Sequence, residues 1–118
     1  MPEIIIYHNP RCSKSRQTLA LLESHGIQPI VVEYLQTPPD EKTLHELIQK
    51  LGIAPRELLR PKEYRQLELP DTDDPDELIQ RMAANPQVIQ RPIVVCGRHA
   101  RFGRPPENVL QIVGVSES

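Results

Sequence analysis

A cysteine beside several basic side chains is the residue in this sequence best suited to chemistry. Cys12 lies in the stretch His-Asn-Pro-Arg-Cys-Ser-Lys-Ser-Arg at 8–16, which follows an apolar run at 4–7 and precedes a helical pattern at 18–24. The start of a helix gathers unpaired backbone N–H groups and the positive end of the helix dipole. Both favour the thiolate, which is the nucleophilic form of cysteine. The alternative is an inert, buried cysteine that serves as a small apolar side chain.

Polar and chargeable groups on both sides of Cys12 strengthen the chemical interpretation. The hydroxyls of Ser13 and Ser15 can cap backbone N–H groups or hydrogen-bond the sulfur. His8 is a titratable group nearby, and three longer basic side chains also flank the cysteine: Arg11, Lys14 and Arg16. We therefore predict that this stretch is the reaction centre.

The composition limits the class of protein. The 118 residues suit one domain, 1–118, and the net charge of -2 gives no electrostatic case for a nucleic-acid partner or an anionic membrane. Most of the basic residues are arginines, which suit bidentate recognition of oxyanions, although codon bias would produce the same usage.

No apolar run reaches the ~20 residues of a membrane span, and the first residues do not resemble a signal peptide. Two cysteines do not make a disulfide framework, so we expect a cytoplasmic protein.

A βαβ unit is predicted to position the cysteine. The runs 4–7 and 30–35 predict strands, and the pattern between them predicts a helix over about 13–25 that ends at Gly26. Two strands that flank one helix favour parallel pairing with a right-handed crossover. Cys12 would then lie where the first strand passes into the helix.

The rest of the chain predicts a helical insertion over about 37–90, followed by a ββα unit. Within the insertion, apolar residues at 44, 47, 48 and 51 predict a helix capped by Thr37 or Asp40, and a short helical turn at 54–60 is expected to stop at Pro61. The acidic run 63–77 lacks a fixed ligand spacing, so we expect a solvated loop or a short helical piece and no metal site.

A last helix of the insertion is predicted over 76–84, capped near Asp74. After it, a strand at 91–96, a hairpin turn at 97–100, a short strand at 101–103 and a final helix through Val113 complete the predicted ββα unit. The expected fold is α/β, with a four-stranded mixed sheet.

This element order resembles the thioredoxin fold, in which a proline that opens the third strand is cis and faces the cysteine. The resemblance implies a cis peptide bond at Arg91–Pro92. Four segments are more closely similar to the glutaredoxin-dependent arsenate reductase family, and to its short members in particular. They are 7–16, 58–60 (Leu-Leu-Arg), the segment from Asn-Pro at 85–86 through Arg-Pro-Ile-Val-Val at 91–95, and 104–107 (Arg-Pro-Pro-Glu).

The family resemblance implies a role for each matching residue. Cys12 would attack arsenate and carry it covalently, His8 would help to lower the cysteine pKa, and Ser15 would hydrogen-bond the sulfur. Three arginines would bind the oxyanion and stabilise the thiolate: Arg60, Arg91 and Arg104. Taken singly, each arginine has an ordinary alternative, because Arg60 could satisfy carbonyls at a helix end and the other two could be surface cations.

The resemblance also implies how electrons reach the site. No bound cofactor or metal is expected, glutathione would be a co-substrate and glutaredoxin a protein partner. Cys96 lies four residues beyond Pro92, about 13 Å along a strand. If Pro92 faces Cys12, as the resemblance implies, Cys96 is then beyond the ~7 Å limit between the Cα atoms of a disulfide with Cys12. Position 15 is serine, so no Cys-x-x-Cys pair exists, and the reductant must come from another molecule. We expect a monomer.

Two features depart from the best-known arsenate reductases. Arg11 stands where those enzymes carry a small residue, and the chain ends at Ser118, without the C-terminal segment of longer members. Two other functions stay open. One is a transcriptional regulator of the same fold that binds RNA polymerase. Such regulators typically carry a Cys-x-x-Cys switch, which this chain lacks because position 15 is serine. The other is a glutathione-dependent thiol oxidoreductase, which would need Cys12 but not three arginines.

Overall fold

Four short strands form one mixed sheet in the computed structural model, which describes residues 3–113. They are β1 (Ile4–His8), β2 (Ile30–Glu33), β3 (Ile93–Cys96) and β4 (His99–Phe102), in the order β2-β1-β3-β4. β1 is parallel to β2 and antiparallel to β3, and β3 is antiparallel to β4. The predicted mixed sheet is therefore confirmed. The ends of the predicted domain, 1–2 and 114–118, lie outside the described residues.

Helix α1 (Ser13–Ser24) connects the two parallel strands. Cys12 is its N-cap residue, with extended backbone angles (φ -93, ψ 124), so the helix begins at the residue directly after the cysteine. Leu22 is fully buried and anchors the helix on the sheet. The helix ends one residue before the predicted limit, and the chain then turns at Gly26 with a positive φ of 76.

The predicted helical insertion is present between β2 and β3. Helix α2 (Glu41–Leu51) begins after Asp40, whose carboxylate accepts a hydrogen bond from the Thr43 N–H at 2.8 Å, and ends at the left-handed Gly52. A 3-10 helix (Pro55–Leu58), helix α3 (Pro61–Arg65), helix α4 (Pro75–Ala84) and a second 3-10 helix (Pro86–Val88) follow.

The prediction that Pro61 stops a helix was wrong. Pro61 instead occupies the first position of α3, where the backbone N–H that proline lacks would have no partner within the helix. α3 therefore begins immediately after Arg60, which is its N-cap residue. The prediction for α4 agrees with the structure more closely. The Asp74 carboxylate caps the start of α4, where it accepts a hydrogen bond from the Asp76 N–H.

The last two elements differ from expectation in detail. β4 begins two residues earlier than predicted, because Gly97 adopts a positive φ of 63 and the hairpin turn needs only two residues. The final helix is a 3-10 helix (Pro106–Gln111) rather than an α-helix.

Two apolar layers cover the sheet, because alternate residues of each strand point to opposite faces. Ile6 and Val94 pack with Leu22 and Val109 on the face covered by α1 and the final 3-10 helix. Ile93 and Val95 face the other way and pack with the apolar residues of the helical insertion. None of the described helices is long and apolar enough to cross a membrane.

A glycine brings the end of β4 against α1 and Pro92. The Gly103 N–H donates to the Pro92 carbonyl at 3.0 Å, and a Cβ at Gly103 would lie 2.2 Å from Thr18 Oγ1 and 2.7 Å from Pro92 Cγ. The Arg91–Pro92 peptide bond is cis, as expected, and Arg104–Pro105 is also cis, which was not predicted. The close approach at Gly103 places the next residue, Arg104, beside the start of α1.

Candidate active site

The Cys12 side chain lies at the positive end of α1. Its backbone N–H donates to the Asn9 carbonyl at 3.0 Å, and its carbonyl accepts from the Arg16 N–H at 3.0 Å. These two hydrogen bonds fix the backbone on both sides of the cysteine. The sulfur makes no cap hydrogen bond of standard geometry, but the N–H groups of Lys14 and Ser15 face it and favour a negative charge. Cys12 is partly exposed, which leaves the sulfur accessible to a small molecule.

Two guanidinium groups flank the sulfur. Arg104 Nη2 lies 3.5 Å from Cys12 Sγ, although the two residues are 92 positions apart in the chain. The Arg91 side chain also faces the sulfur. Arg104 Nε donates a hydrogen bond to the backbone carbonyl of Arg91 at 2.7 Å, which orients the Arg104 guanidinium group.

Opposing influences set the pKa of the Cys12 thiol. Burial raises the pKa and is the largest single influence. The Ser15 N–H, the Arg91 side chain, the Arg104 charge and the Lys14 N–H all lower the pKa, and together they outweigh burial. The net pKa is below that of an ordinary thiol, which increases the fraction of nucleophilic thiolate near neutral pH.

The Ser15 hydroxyl is engaged away from the sulfur, which corrects one expectation. Its Oγ lies 2.6 Å from His8 Nδ1 and accepts a hydrogen bond from the Asn9 N–H at 3.0 Å. The sulfur faces the Ser15 backbone N–H instead. His8 likewise contacts Ser15 rather than the sulfur, so these two side chains fix the loop that carries Cys12.

His8 is a neutral group in this arrangement. Burial lowers the pKa of His8 and is the main cause; Glu33 opposes the change, and Arg16 adds to it. The imidazole therefore loses its charge at a lower pH than a free histidine. It acts as a hydrogen-bonding partner near neutral pH rather than as a cation for the thiolate.

Arg60 is directed to a carboxylate rather than to the sulfur. Its Nε lies 3.1 Å from Glu63 Oε1, without the alignment of a hydrogen bond. Its backbone N–H donates to the Val88 carbonyl at 2.7 Å, which fixes this end of α3. Two of the three predicted arginines therefore meet at Cys12, and the third is paired with Glu63, a residue that the sequence analysis did not single out.

Three buried polar side-chain atoms have no hydrogen-bond partner among the described residues: Tyr34 Oη, Arg60 Nε and Arg91 Nε. All three can donate a hydrogen bond, and the positive charges of Arg91 and Arg60 both influence the Tyr34 hydroxyl. Arg60 Nε lies against Glu63, whereas Tyr34 and Arg91 lie near Cys12, and unpaired donors at that place fit a ligand with acceptor oxygens.

Tyr34 was missed by the sequence analysis. A signal for it was present, because parallel strands end at the same edge of a sheet. Tyr34 directly follows β2, as the cysteine loop follows the parallel strand β1.

Cys96 lies at the other end of β1 from the site. It is opposite Ile4, the first residue of that strand, whereas Cys12 comes four residues after its last residue, His8. Both cysteines are free thiols, and Cys96 is buried. Among residues 3–113, no group of three or more His, Cys, Asp and Glu side chains could hold a metal ion.

Comparison with known proteins gives a consistent family assignment. A sequence model described as the ArsC family matches residues 7–112. An arsenate reductase of Neisseria meningitidis is 48% identical over 117 residues, which cover 96% of this chain and 100% of the relative. The uncharacterized protein YfgD of Escherichia coli is 54% identical over 95% of this chain and 98% of its own. The solved structure of an arsenate reductase from Vibrio cholerae superposes with a TM-score of 0.89 at 50% identity, covering 95% of this chain and 98% of that one.

Proposed function

The chain belongs to the ArsC family, and from that premise we propose that it reduces arsenate to arsenite, with Cys12 as the nucleophile that binds arsenic covalently. The observation that carries the proposal is the sulfur held at a helix start between Arg91 and Arg104. Relatives of nearly the same length carry the name arsenate reductase, which supports the choice of substrate.

The residue types suit an attack of one anion on another. Arsenate near neutral pH is a tetrahedral oxyanion, and a thiolate approaches it only where positive charge offsets the repulsion. Guanidinium groups stay charged when partly desolvated and bind two oxygens at once. Arg91 and Arg104 would hold the oxyanion against the sulfur, and Arg60 would join them when it exchanges Glu63 for the substrate.

The first chemical step forms one bond and breaks another. The Cys12 thiolate attacks arsenic, an S–As bond forms, and one As–O bond breaks as its oxygen takes up protons and leaves as water. No electrons reach arsenic in this step. Charge that builds on the remaining oxygens faces the arginine side chains, which are fixed before the reaction begins.

The electrons for the second stage would come from other molecules. Two thiols outside the chain give two electrons to arsenic, which falls from As(V) to As(III), and the thiols end as one disulfide. The S–As bond breaks in this stage, arsenite leaves, and one of the two thiol protons returns to the Cys12 sulfur. Cys96 is too far from Cys12 to serve, as the β1–β3 register places it at the opposite end of the sheet. We assign these roles to glutathione and glutaredoxin, which places the reaction in the reducing cytoplasm. One chain supplies every residue named, so a monomer suffices.

A cavity beside the cysteine loop offers a place for glutathione. It has a volume of ≈ 240 Å³, and its lining includes Arg11, Glu33 and Leu35. Glutathione carries carboxylates and one ammonium group, so the exposed Arg11 and Glu33 provide complementary charges. Arg11→Ala is expected to raise KM for glutathione and to leave KM for arsenate unchanged.

A coupled assay tests the function. Arsenate, glutathione, glutaredoxin and its reductase are combined with the protein, and loss of NADPH is followed. Activity should vanish in Cys12→Ser and fall in Arg91→Ala, whereas Arg98→Ala, in the distant hairpin turn, should match the wild type. Wild-type protein that consumes no NADPH on addition of arsenate would overturn the proposal.

The same samples separate the two other functions. A thiol oxidoreductase without an oxyanion substrate would reduce mixed disulfides in an assay that Cys12→Ser abolishes and Arg91→Ala does not change. A regulator would bind the polymerase α-subunit in a pull-down and show no turnover with arsenate.

A further inference from the structure

Tyr34 carries a hydroxyl that the folded chain buries and leaves unpaired. The residue is 1% exposed, and its Oη has no hydrogen-bond partner among residues 3–113. A buried hydroxyl without a partner destabilises the folded state, so such groups are rare and call for an explanation. A phenylalanine would fill the same space without this cost.

The polar side chains beside the Tyr34 hydroxyl are donors. Asn9 is one of them, and its Oδ1 already accepts the Arg11 N–H at 3.0 Å, so the amide NH2 is the part left to face Tyr34. Arg91 and Arg60 act on the same hydroxyl as positive charges, and guanidinium groups cannot accept a hydrogen bond. Cys12 completes the surroundings and makes no hydrogen bond with the hydroxyl.

We propose that the Tyr34 hydroxyl donates a hydrogen bond to an oxygen of the oxyanion bound at Cys12. The Arg91 side chain, which faces the sulfur and whose Nε also has no hydrogen-bond partner among residues 3–113, would donate to the same ligand. The identity of this ligand as arsenate rests on the proposed function. The donor role itself requires only a tetrahedral oxyanion.

The protonation state of Tyr34 agrees with this role. Burial raises the pKa of the Tyr34 hydroxyl, as does the negative charge of Cys12, while Arg91, Asn9 and Arg60 lower it less. The hydroxyl therefore keeps its proton near neutral pH. A neutral donor next to the sulfur also adds no charge that would oppose the attack.

Tyr34→Phe gives the test two readouts of opposite sign. Loss of a hydrogen bond to a charged acceptor should weaken oxyanion binding on the order of tenfold or more. Loss of an unpaired buried hydroxyl should leave Tm unchanged or raise it. A purely structural tyrosine would show the reverse, with a lower Tm and unchanged binding.

Tyr64 provides the matched control. It is also buried, but its hydroxyl accepts a hydrogen bond from Arg81 Nη1 at 2.5 Å. Tyr64→Phe should therefore lower Tm and leave oxyanion binding and turnover unchanged. Binding is measured by calorimetry with arsenate and with phosphate in a Cys12→Ser background, and kcat/KM for arsenate is measured with Cys12 intact.

The outcomes distinguish the two proposals. Arsenate turnover in the wild type together with equal oxyanion binding and kcat/KM in Tyr34→Phe would refute the role of Tyr34 and leave the proposed function standing. Phosphate binding that weakens in Tyr34→Phe, with no arsenate turnover in the wild type, would refute the proposed function and support the donor role. A chain that binds neither oxyanion would refute the donor role.

Discussion

Replacing Arg104 by alanine should raise the pKa of Cys12 and slow alkylation of its sulfur about fivefold to tenfold below that pKa. The guanidinium Nη2 lies 3.5 Å from the sulfur, and two unit charges about 4 Å apart attract by about 1 kcal/mol in water and about 4 kcal/mol at an effective dielectric constant of 20. Arg104 is exposed, so the attraction lies near the lower figure. About 1.4 kcal/mol corresponds to one pKa unit. The sign follows because loss of a cation disfavours the thiolate.

The rate of alkylation by iodoacetamide as a function of pH measures this pKa, because only the thiolate reacts. The measurement is made in a Cys96→Ser background, so that Cys12 is the single thiol that iodoacetamide can alkylate. At any pH below both pKa values, Arg104→Ala should react about fivefold to tenfold more slowly than the parent. Arg104→Lys keeps the charge and should recover part of the change, and Arg98→Ala serves as the neutral control.

An unchanged alkylation midpoint in Arg104→Ala would refute the electrostatic reasoning. The thiolate would then owe its stability to the helix N–H groups and to Arg91. The same result with reduced arsenate turnover would assign Arg104 to the substrate rather than to the nucleophile, so the two measurements are made on the same preparations.

Three further predictions concern residues around the site. Cys96→Ser should retain wild-type arsenate turnover in the coupled assay, because the sheet register keeps that thiol away from the reacting sulfur; loss of turnover with an unchanged Tm would contradict this. Gly103→Ala should cost about 1–3 kcal/mol in urea unfolding, because its Cβ would meet Thr18 Oγ1 at 2.2 Å; an unchanged midpoint would show that the contact relaxes. The Arg60 side chain is the main cause that lowers the pKa of Glu63. The pair therefore stabilises the folded state fully above the ordinary carboxyl pKa of about 4.3, and this stabilisation is lost as pH falls through the lower pKa of the folded state. Glu63→Gln should therefore flatten the loss of unfolding free energy between about pH 5 and 3, and equal slopes in both proteins would exclude the pair as a contributor.

Local features of the fold were predictable from the sequence because they depend on residues close together in the chain. The helix that begins after Cys12, the Asp40 cap and the end of α2 at Gly52 follow from capping chemistry within a few residues. Prediction failed at Pro61, where the same residue type can end one helix or begin another. The choice there depends on what the following segment packs against.

The sequence by itself determined the position of the proposed nucleophile at a helix start, the order of the strands and the mixed sheet, because apolar periodicity and a helix start beside a cysteine are local properties. Only the tertiary structure decided which distant side chains reach the sulfur. It brings Arg104 to Cys12 across 92 positions, pairs Arg60 with Glu63, and buries Tyr34 without a partner. The physical reason is that a side chain's direction depends on the packing of elements far apart in sequence, and short-range patterns carry no record of that packing.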